Sequence, residues 1–199
     1  MALVMADRQR CAWAGADRSP PDPLMVAYHD DEWGVPVRND VELFERLALE
    51  SFQAGLSWST ILRKRDAFRA AFREFDPAVV ARFDDDDRVR LMADAGIVRN
   101  RAKIDATIGN AAAVLATAAA FGSFAAYLDS IVPSQPARQP AAADLANVPA
   151  TTPVSDALSA DLRRRGFRFV GSTIVYAFMQ SVGLVDDHLP GCFRYVPTS

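Results

Sequence analysis

Apolar residues recur at helical spacing along most of the chain, and nowhere do they alternate with polar ones as in a half-buried strand. Val41, Phe44, Leu47 and Ala48 share one face and predict an amphipathic helix from Val41 to Ser51, capped by Asn39 or Asp40. Gly55 interrupts the pattern, and Ser57 can cap a second helix from Trp58 to about Phe75. Asp76-Pro77 opens a short one. The charge run Asp84 to Asp87 supplies N-capping carboxylates for a helix Arg88–Ala95, which Gly96 ends. Asn100 to Phe121 is alanine-rich and of good helix propensity. The stretch Val132 to Pro153 carries five prolines and reads as an ordered connector. Two more helices follow. Ser155–Arg165 is capped by Ser155 or Asp156 and stopped by Gly166; Gly171–Val182 is apolar nearly all round and therefore buried. The first 40 residues, by contrast, are rich in turn formers. The pattern predicts an all-α fold in a single domain over residues 1–199, with residues 1–7 a disordered extension.

Composition narrows the function. With 199 residues, half of them apolar, the chain can bury a substantial core. A net charge of −3 gives no overall pull toward nucleic acid, so any DNA contact needs local basic patches. Two candidates are Arg99, Arg101 and Lys103, and then Arg163, Arg164, Arg165 and Arg168. No apolar run approaches about 20 residues, so no membrane span is expected. The N-terminus lacks the long apolar stretch of a signal peptide, and two cysteines without an export signal fit a reducing, cytoplasmic setting.

The two histidines and two cysteines run in the order Cys11, His29, His188, Cys192, one Cys–His pair near each terminus. Two imidazoles and two thiolates make a complete tetrahedral Zn²⁺ set that would clip the first stretch of chain to the last. Four protein ligands leave no open position, so such a zinc is structural. A Cys11–Cys192 disulfide with ordinary polar histidines is the competing reading.

Two further constellations carry candidate chemistry. The turn from Arg165 to Gly171 joins two helices with a glycine at each end. A helix-hairpin-helix of this kind, over about residues 155–183, would grip the DNA backbone through Arg168 and the helix start at Gly171. Any pair of antiparallel helices can carry such glycines, so the turn alone is weak. Tyr28, Trp33, Glu50 and Trp58, with Trp13 close to Cys11, form an aromatic and carboxylate group concentrated in the first third. A flipped nucleobase needs flat apolar walls and a few edge hydrogen bonds, and a carboxylate suits a cationic base. The competing reading makes the aromatics core and Glu50 a surface residue.

Four segments together are more specific: Tyr28-His29-Asp30-Asp31-Glu32-Trp33-Gly34-Val35-Pro36, Glu50 through Trp58, Asp94 through Ile104, and Gly166 through Ile174. In this order, with the Cys/His set, they strongly resemble the bacterial 3-methyladenine DNA glycosylase type I family, from Cys11 to about Cys192. The resemblance implies a helix-hairpin-helix glycosylase fold with one structural zinc on Cys11, His29, His188 and Cys192. It assigns Glu50 to hydrogen-bonding the methylated base as the catalytic carboxylate, Trp58 to stacking on it, Tyr28 to its edge and Trp13 to a pocket wall. The implied partners are alkylated double-stranded DNA and free 3-methyladenine as product, with a monomeric, membrane-free protein. Ser51-Phe52 and Cys192-Phe193-Arg194 depart from commoner family wording without touching a ligand or base contact.

A lyase mechanism would need a nucleophilic amine, and Lys64 and Lys103 are the two lysines. Lys103 reads as a phosphate contact or helix surface, so monofunctional hydrolysis is expected. Relatives in the wider hairpin superfamily use an aspartate beyond the hairpin. Asp186 and Asp187 lie there, but are read as partners of His188. A non-catalytic zinc-stapled DNA-binding module is the alternative function; it would not need Glu50 with Tyr28 and Trp58.

Overall fold

Capping side chains set most of the helix starts. The computed structural model describes residues 8–15, 21–132 and 147–196, so the expected extension at 1–7 and three of the connector prolines lie outside the described residues. Among the described residues there are helices and no strands. They are α1 (Pro23–Asp31), α2 (Asp40–Gln53), α3 (Trp58–Ala71), α4 (Pro77–Val80), α5 (Asp85–Ala93), α6 (Arg101–Phe121), α7 (Phe124–Ile131), α8 (Pro153–Arg164) and α9 (Ser172–Ser181). Asn39, Ser57, Asp84 and Asn100 each accept a hydrogen bond from the first turn they cap, which satisfies donors the helix itself leaves free.

Several boundaries differ from the periodicity reading. The N-terminal region contains α1, started by Pro23 at N1 with Asp22 as cap. Helix α7 follows Gly122 directly, with Ser123 as its cap, where no helix was expected. Helix α8 is capped by Thr152, which exchanges hydrogen bonds with Ser155, rather than by Ser155 or Asp156. Helix α3 stops at Ala71, because Arg73, Glu74 and Phe75 take positive φ near 50–55°. That left-handed turn places Phe75 against Phe72 at 5.3 Å, where both are fully buried.

The core is built round α2, whose residues from Leu43 to Phe52 are all buried. Phe52, Phe68, Phe72 and Phe75 form a run of ring contacts between α2 and α3. Burying such a side chain is worth about 1.5–3 kcal/mol, so this layer is a main source of stability. Helix α6 is long and apolar enough by composition to cross a membrane, with a mean hydropathy of 1.4, although polar residues interrupt its apolar run. Half of that window is buried inside the fold, where Ile104, Ile108, Ala111 and Val114 join the core.

The two ends of the described chain meet. Phe193 donates its backbone N–H to the Gln9 carbonyl at 2.9 Å, Gly34 to Gln180 at 3.0 Å and Val37 to Val182 at 3.1 Å. Gly183 makes this junction possible: its φ is +69°, and a Cβ there would lie 2.7 Å from backbone atoms of Val35 and Pro36.

Candidate active site and metal centre

The four residues of the Cys/His set come together from opposite ends of the sequence. Cys11, His29, His188 and Cys192 are all buried, and one ligand atom from each lies within 4.8 Å of the others. Cys11 Sγ stands 3.8 Å and Cys192 Sγ 3.6 Å from His188 Nδ1, and Cys192 Sγ is 3.4 Å from His29 Nε2. A tetrahedron with the usual zinc–sulfur and zinc–nitrogen bond lengths has an S···N edge of about 3.6 Å, so the cluster has the dimensions of such a site. Both cysteines are free thiols, so they do not form the competing disulfide.

The surroundings suit metal ligands. His29 Nδ1 contacts Asp30 Oδ1 at 2.8 Å, and Arg10 holds the same carboxylate at 2.6 Å. Against the cost of burial, Arg10 and His29 keep the Asp30 carboxyl below its usual range. His188 Nε2 faces the Trp33 carbonyl at 3.3 Å. These contacts fix which ring nitrogen of each histidine points into the cluster. Burial lowers both imidazoles, His188 to about 4, so each is neutral and able to ligate at neutral pH. Burial also pushes the Cys11 thiol up to about 12, so its ionisation calls for a bound cation. Backbone N–H groups of Leu189 and Arg194 donate to the two sulfurs at 3.4 Å.

Of the two expected partners of His188, Asp186 contacts it and Asp187 turns to the pocket. Asp186 accepts from the His188 backbone N–H at 3.2 Å, and its charge favours the protonated imidazole against the larger effect of burial. Asp187 accepts from Tyr176 and Gln180 and does not touch the imidazole. The residue two before a ligand cannot be assigned to its ring by spacing, because the loop turns back toward α9.

The cluster backs an aromatic pocket, whose wall residues Trp13 and Trp33 pack on its imidazoles. Trp33 packs on His188 at 4.7 Å, and Trp13 on His29 at 5.2 Å and on Trp33 at 4.9 Å. Tyr28 meets Trp58 at 5.2 Å. All five aromatic and acidic candidates, Trp13, Tyr28, Trp33, Glu50 and Trp58, line one cavity of about 410 Å³. Gln53, Tyr176, Gln180 and Asp187 line it too, as do Val148, Pro149 and Ala150. Sequence reasoning missed Tyr176 and Gln180, and it assigned Asp187 to His188 rather than to the pocket. Tyr176 and Gln180 stand one turn apart on α9, and their spacing was the available signal.

Glu50 is 5% exposed, so it is not a surface residue. Neither its carboxyl nor the Tyr28 hydroxyl has a hydrogen-bond partner among the described residues, although both line the cavity. Burial pushes Glu50 up to about 8, with Arg46 one turn earlier pulling the other way. The residue read from sequence as a standing carboxylate is therefore mostly a neutral acid at pH 7. Burial, and then the charge of Glu50, raises the Tyr28 phenol well above its usual value, so it remains a neutral donor. Arg46 lies 5.7 Å from the Tyr28 ring, and Arg46 and Arg65 both bind Glu32. This network ties α1 to α2 and α3 and fixes the tyrosine.

Lys103 is buried, not a surface contact: its Nζ donates to the carbonyls of Phe52 and Ala54 at 2.9 and 2.8 Å, at the end of the pocket helix α2. Lys64 likewise donates to Ala95 and Gly96 carbonyls.

The turn between α8 and α9 is held from inside. Asn110 accepts from the Arg168 N–H at 2.8 Å and donates to its carbonyl at 3.0 Å. Ser51 donates to the Phe169 carbonyl at 3.0 Å and Ser159 to that of Val170 at 2.7 Å. Gly166 has φ +92°, as a turn glycine should, but Gly171 has φ −63°; the second left-handed residue is Phe169, at +55°. Gly171 caps α9 without a side chain, so the first N–H groups of that helix have no side-chain cap. Of the two basic patches, Arg101 pairs with Asp105, and Arg164 and Arg165 with Asp161. Arg99, Arg163 and Arg168 remain exposed, their side chains without an ion pair among the described residues.

Known proteins share this fold and much of the sequence. The chain is 49% identical over 187 residues to DNA-3-methyladenine glycosylase 1 of Escherichia coli (strain K12), covering 94% of this chain and 97% of that protein. It is 44% identical to DNA-3-methyladenine glycosylase of Haemophilus influenzae, covering 92% and 96%. A solved crystal structure of 3-methyladenine DNA glycosylase I superposes with a TM-score of 0.88 at 49% identity, covering 94% of this chain and all of that one. Another, a tyrosine-to-phenylalanine variant of 3-methyladenine DNA glycosylase I in complex with 3-methyladenine, gives 0.85 at 36% identity over 89% and 95%. The model of the methyladenine glycosylase family matches residues 17–195, and the chain belongs to that family.

Proposed function

We propose that this protein is a monofunctional DNA glycosylase that hydrolyses the N-glycosidic bond of 3-methyladenine in alkylated DNA, the first step of base-excision repair. The observation that carries the reading is the aromatic pocket in which Glu50 and Tyr28 present polar groups with no partner of their own among the described residues. Both groups face the cavity with hydrogen-bonding capacity unused by the protein, and an extruded base edge would take it up. Trp58 stacks on the base, Tyr28 and Glu50 hydrogen-bond its edge, and Trp13 and Trp33 complete the walls. A non-catalytic DNA-binding module has no use for this pocket.

The chemistry matches a modest inventory. Methylation at N3 makes adenine cationic, and the base leaves neutral when it takes the bond pair. The enzyme therefore need not protonate the leaving group, and its work is selective binding and stabilisation of the cationic sugar. Entry of a cationic base favours the ionised form of Glu50, so lesion binding is linked to loss of its proton. Lys64 and Lys103 both donate to backbone carbonyls, which supports hydrolysis without a Schiff base.

Cys11, His29, His188 and Cys192 would hold one structural Zn²⁺; bound there it contributes cross-linking of the chain ends and no reaction step. Its imidazoles buttress Trp13 and Trp33. The α8–α9 turn serves as a helix-hairpin-helix in which Arg168 and the N–H groups after Gly171 take DNA phosphate, with Arg99 and Arg163 adding charge. Gly171→Asp should weaken binding to abasic DNA without unfolding the protein. The protein would act as a cytoplasmic monomer.

The deciding experiment is chromatography of bases released from DNA treated with a methylating agent. Free 3-methyladenine without strand cleavage is expected. No base released by a folded, metal-loaded protein would contradict the assignment.

A further inference from the structure

Helix α2 carries two buried ionisable residues one turn apart on the same face, Arg46 and Glu50. Glu50 lines the cavity and Arg46 lies behind it. One nitrogen anchors the guanidinium: Nη2 donates to Glu32 at 2.7 Å and to Glu42 at 3.2 Å. Nε and Nη1 are buried and meet no acceptor among the described residues. Buried donors of a charged group are costly to leave unpaired, so these two call for an explanation. The Glu50 carboxyl, one turn along, accepts no hydrogen bond either. The other ionisable groups near the pair are engaged or neutral. From α1, burial keeps Tyr28 protonated, and Glu32 at its end is shared by Arg46 and by Arg65 of α3. Lys103 of α6 is held by the Phe52 and Ala54 carbonyls. Across the cavity, Tyr176 of α9 donates to Asp187.

We infer that Arg46 is a positioning residue for Glu50: when the carboxyl ionises to meet a cationic base, the unpaired Nε–H and Nη1–H of Arg46 donate to it from behind. The inference rests on the glycosylase reading and deepens it. A neutral Glu50 needs nothing from Arg46. An ionised one, buried among aromatic rings, needs a counter-charge and donors. An arginine and a carboxylate four residues apart on a helix are within reach of each other. The Glu50 proton goes to solvent as the charged base enters. After the glycosidic bond breaks the base is neutral, the carboxylate takes a proton back from solvent, and the pair opens. Arg46 and Arg65 with Glu32 and Glu42 form a network of two guanidiniums and two carboxylates, so its charges balance and it does not repel the cationic base. The electrostatics run the same way. Burial lifts Glu50 to about 8, and Arg46 is the charge that works against burial there. Burial also opposes the charge on Arg46, but its acidic neighbours outweigh it and the guanidinium stays protonated.

A pH profile separates this role from a structural one. The rate of 3-methyladenine release from methylated DNA, measured well below saturation from pH 6 to pH 9, reports ionisations of the free protein. In wild type it should rise as Glu50 ionises. Arg46→Met keeps an unbranched side chain and removes the charge and the donors. Its profile should lie about one pH unit or more higher, so that its rate at pH 7 is about tenfold or more below wild type and the gap narrows toward pH 9. Arg46→Lys, which restores the charge, should bring the profile back toward wild type. An Arg46→Met profile that superposes on wild type overturns the inference. So does a loss by the same factor at every pH, which marks a structural role, or a lysine profile no nearer wild type than that of methionine. A second measurement leaves Arg46 in place and holds even if Arg46→Met fails to fold. The Nε–H NMR signal of Arg46 in the metal-loaded protein should shift as pH is raised through the Glu50 transition, and should stay still in Glu50→Gln. A signal that ignores pH in wild type, or moves alike in both proteins, overturns the pairing. A wild-type protein that releases no base at any pH contradicts the glycosylase reading itself, and the NMR signal then still decides the pairing.

Discussion

Replacing Glu50 by glutamine should make the protein more stable at neutral and alkaline pH, and less active. Glu50 lies in the all-buried stretch of α2, 5% exposed, with no hydrogen-bond donor among the described residues. Burial lifts its carboxyl from the usual 4.5 to about 8 in the folded protein. Below about pH 4.5 the group is protonated in both states and contributes no difference. Between the two values the unfolded chain ionises while the folded one stays neutral, so folding must retain a proton the unfolded chain gives up. Stability therefore falls as pH rises, by about 1.4 kcal/mol per pH unit. The gap comes to about 3 kcal/mol at pH 7 and about 5 kcal/mol above pH 8, by the same conversion. Glutamine has nearly the same shape and does not titrate, so it removes the cost. Urea unfolding of wild type and Glu50→Gln from pH 5 to pH 9 measures it. The two should converge near pH 5 and separate steadily above it, with the variant the more stable. Parallel pH profiles, or a variant less stable than wild type at pH 8, would refute the reasoning, since either means Glu50 is already compensated in the folded state.

Other perturbations test separate parts of the structure. Cys11→Ser should lose the bound metal and lower the melting temperature, because metal affinity at such a site is folding free energy; unchanged metal content would remove Cys11 from the set. Gly183→Ala forces a side chain into a left-handed backbone and onto Val35 and Pro36, and should cost about 3 kcal/mol or more by thermal or urea unfolding. A change under about 1 kcal/mol would mean the chain-end junction yields more easily than its geometry implies. Borohydride added during turnover should trap no covalent protein–DNA adduct, because both lysine amines are engaged with backbone carbonyls. A trapped adduct would establish lyase chemistry.

Local signals in the sequence reached most helices. Asn39, Ser57 and Asp84 are caps both by pattern and by geometry. The pattern failed where tertiary contact decides. Residues 73–75 have helical composition, yet burial of Phe72 and Phe75 on one another bends the chain into a left-handed turn. Helix α1 was hidden because Pro23 was counted as a turn former although it sits at N1, where proline is favoured. The Cys/His set was legible because ligand chemistry is sparse and its residue types are rare here. Lys103 was misread because one sequence does not distinguish a basic residue aimed at solvent from one aimed at the end of a neighbouring helix. Asp187 was assigned to His188 by adjacency, whereas a turn in the chain carries it to Tyr176 and the pocket. Pocket walls drawn from α9 depend on which face of an almost wholly apolar helix meets the cavity, and composition does not encode that.

The pocket proposed as the seat of the excised base is lined by all three tryptophans of the chain, Trp13, Trp33 and Trp58. The most direct measurement is therefore a titration of the metal-loaded protein with free 3-methyladenine, following intrinsic tryptophan fluorescence. Saturable quenching with one base per chain, weakened in Glu50→Ala, is predicted. A flat titration, or one that Glu50→Ala leaves untouched, would contradict the account.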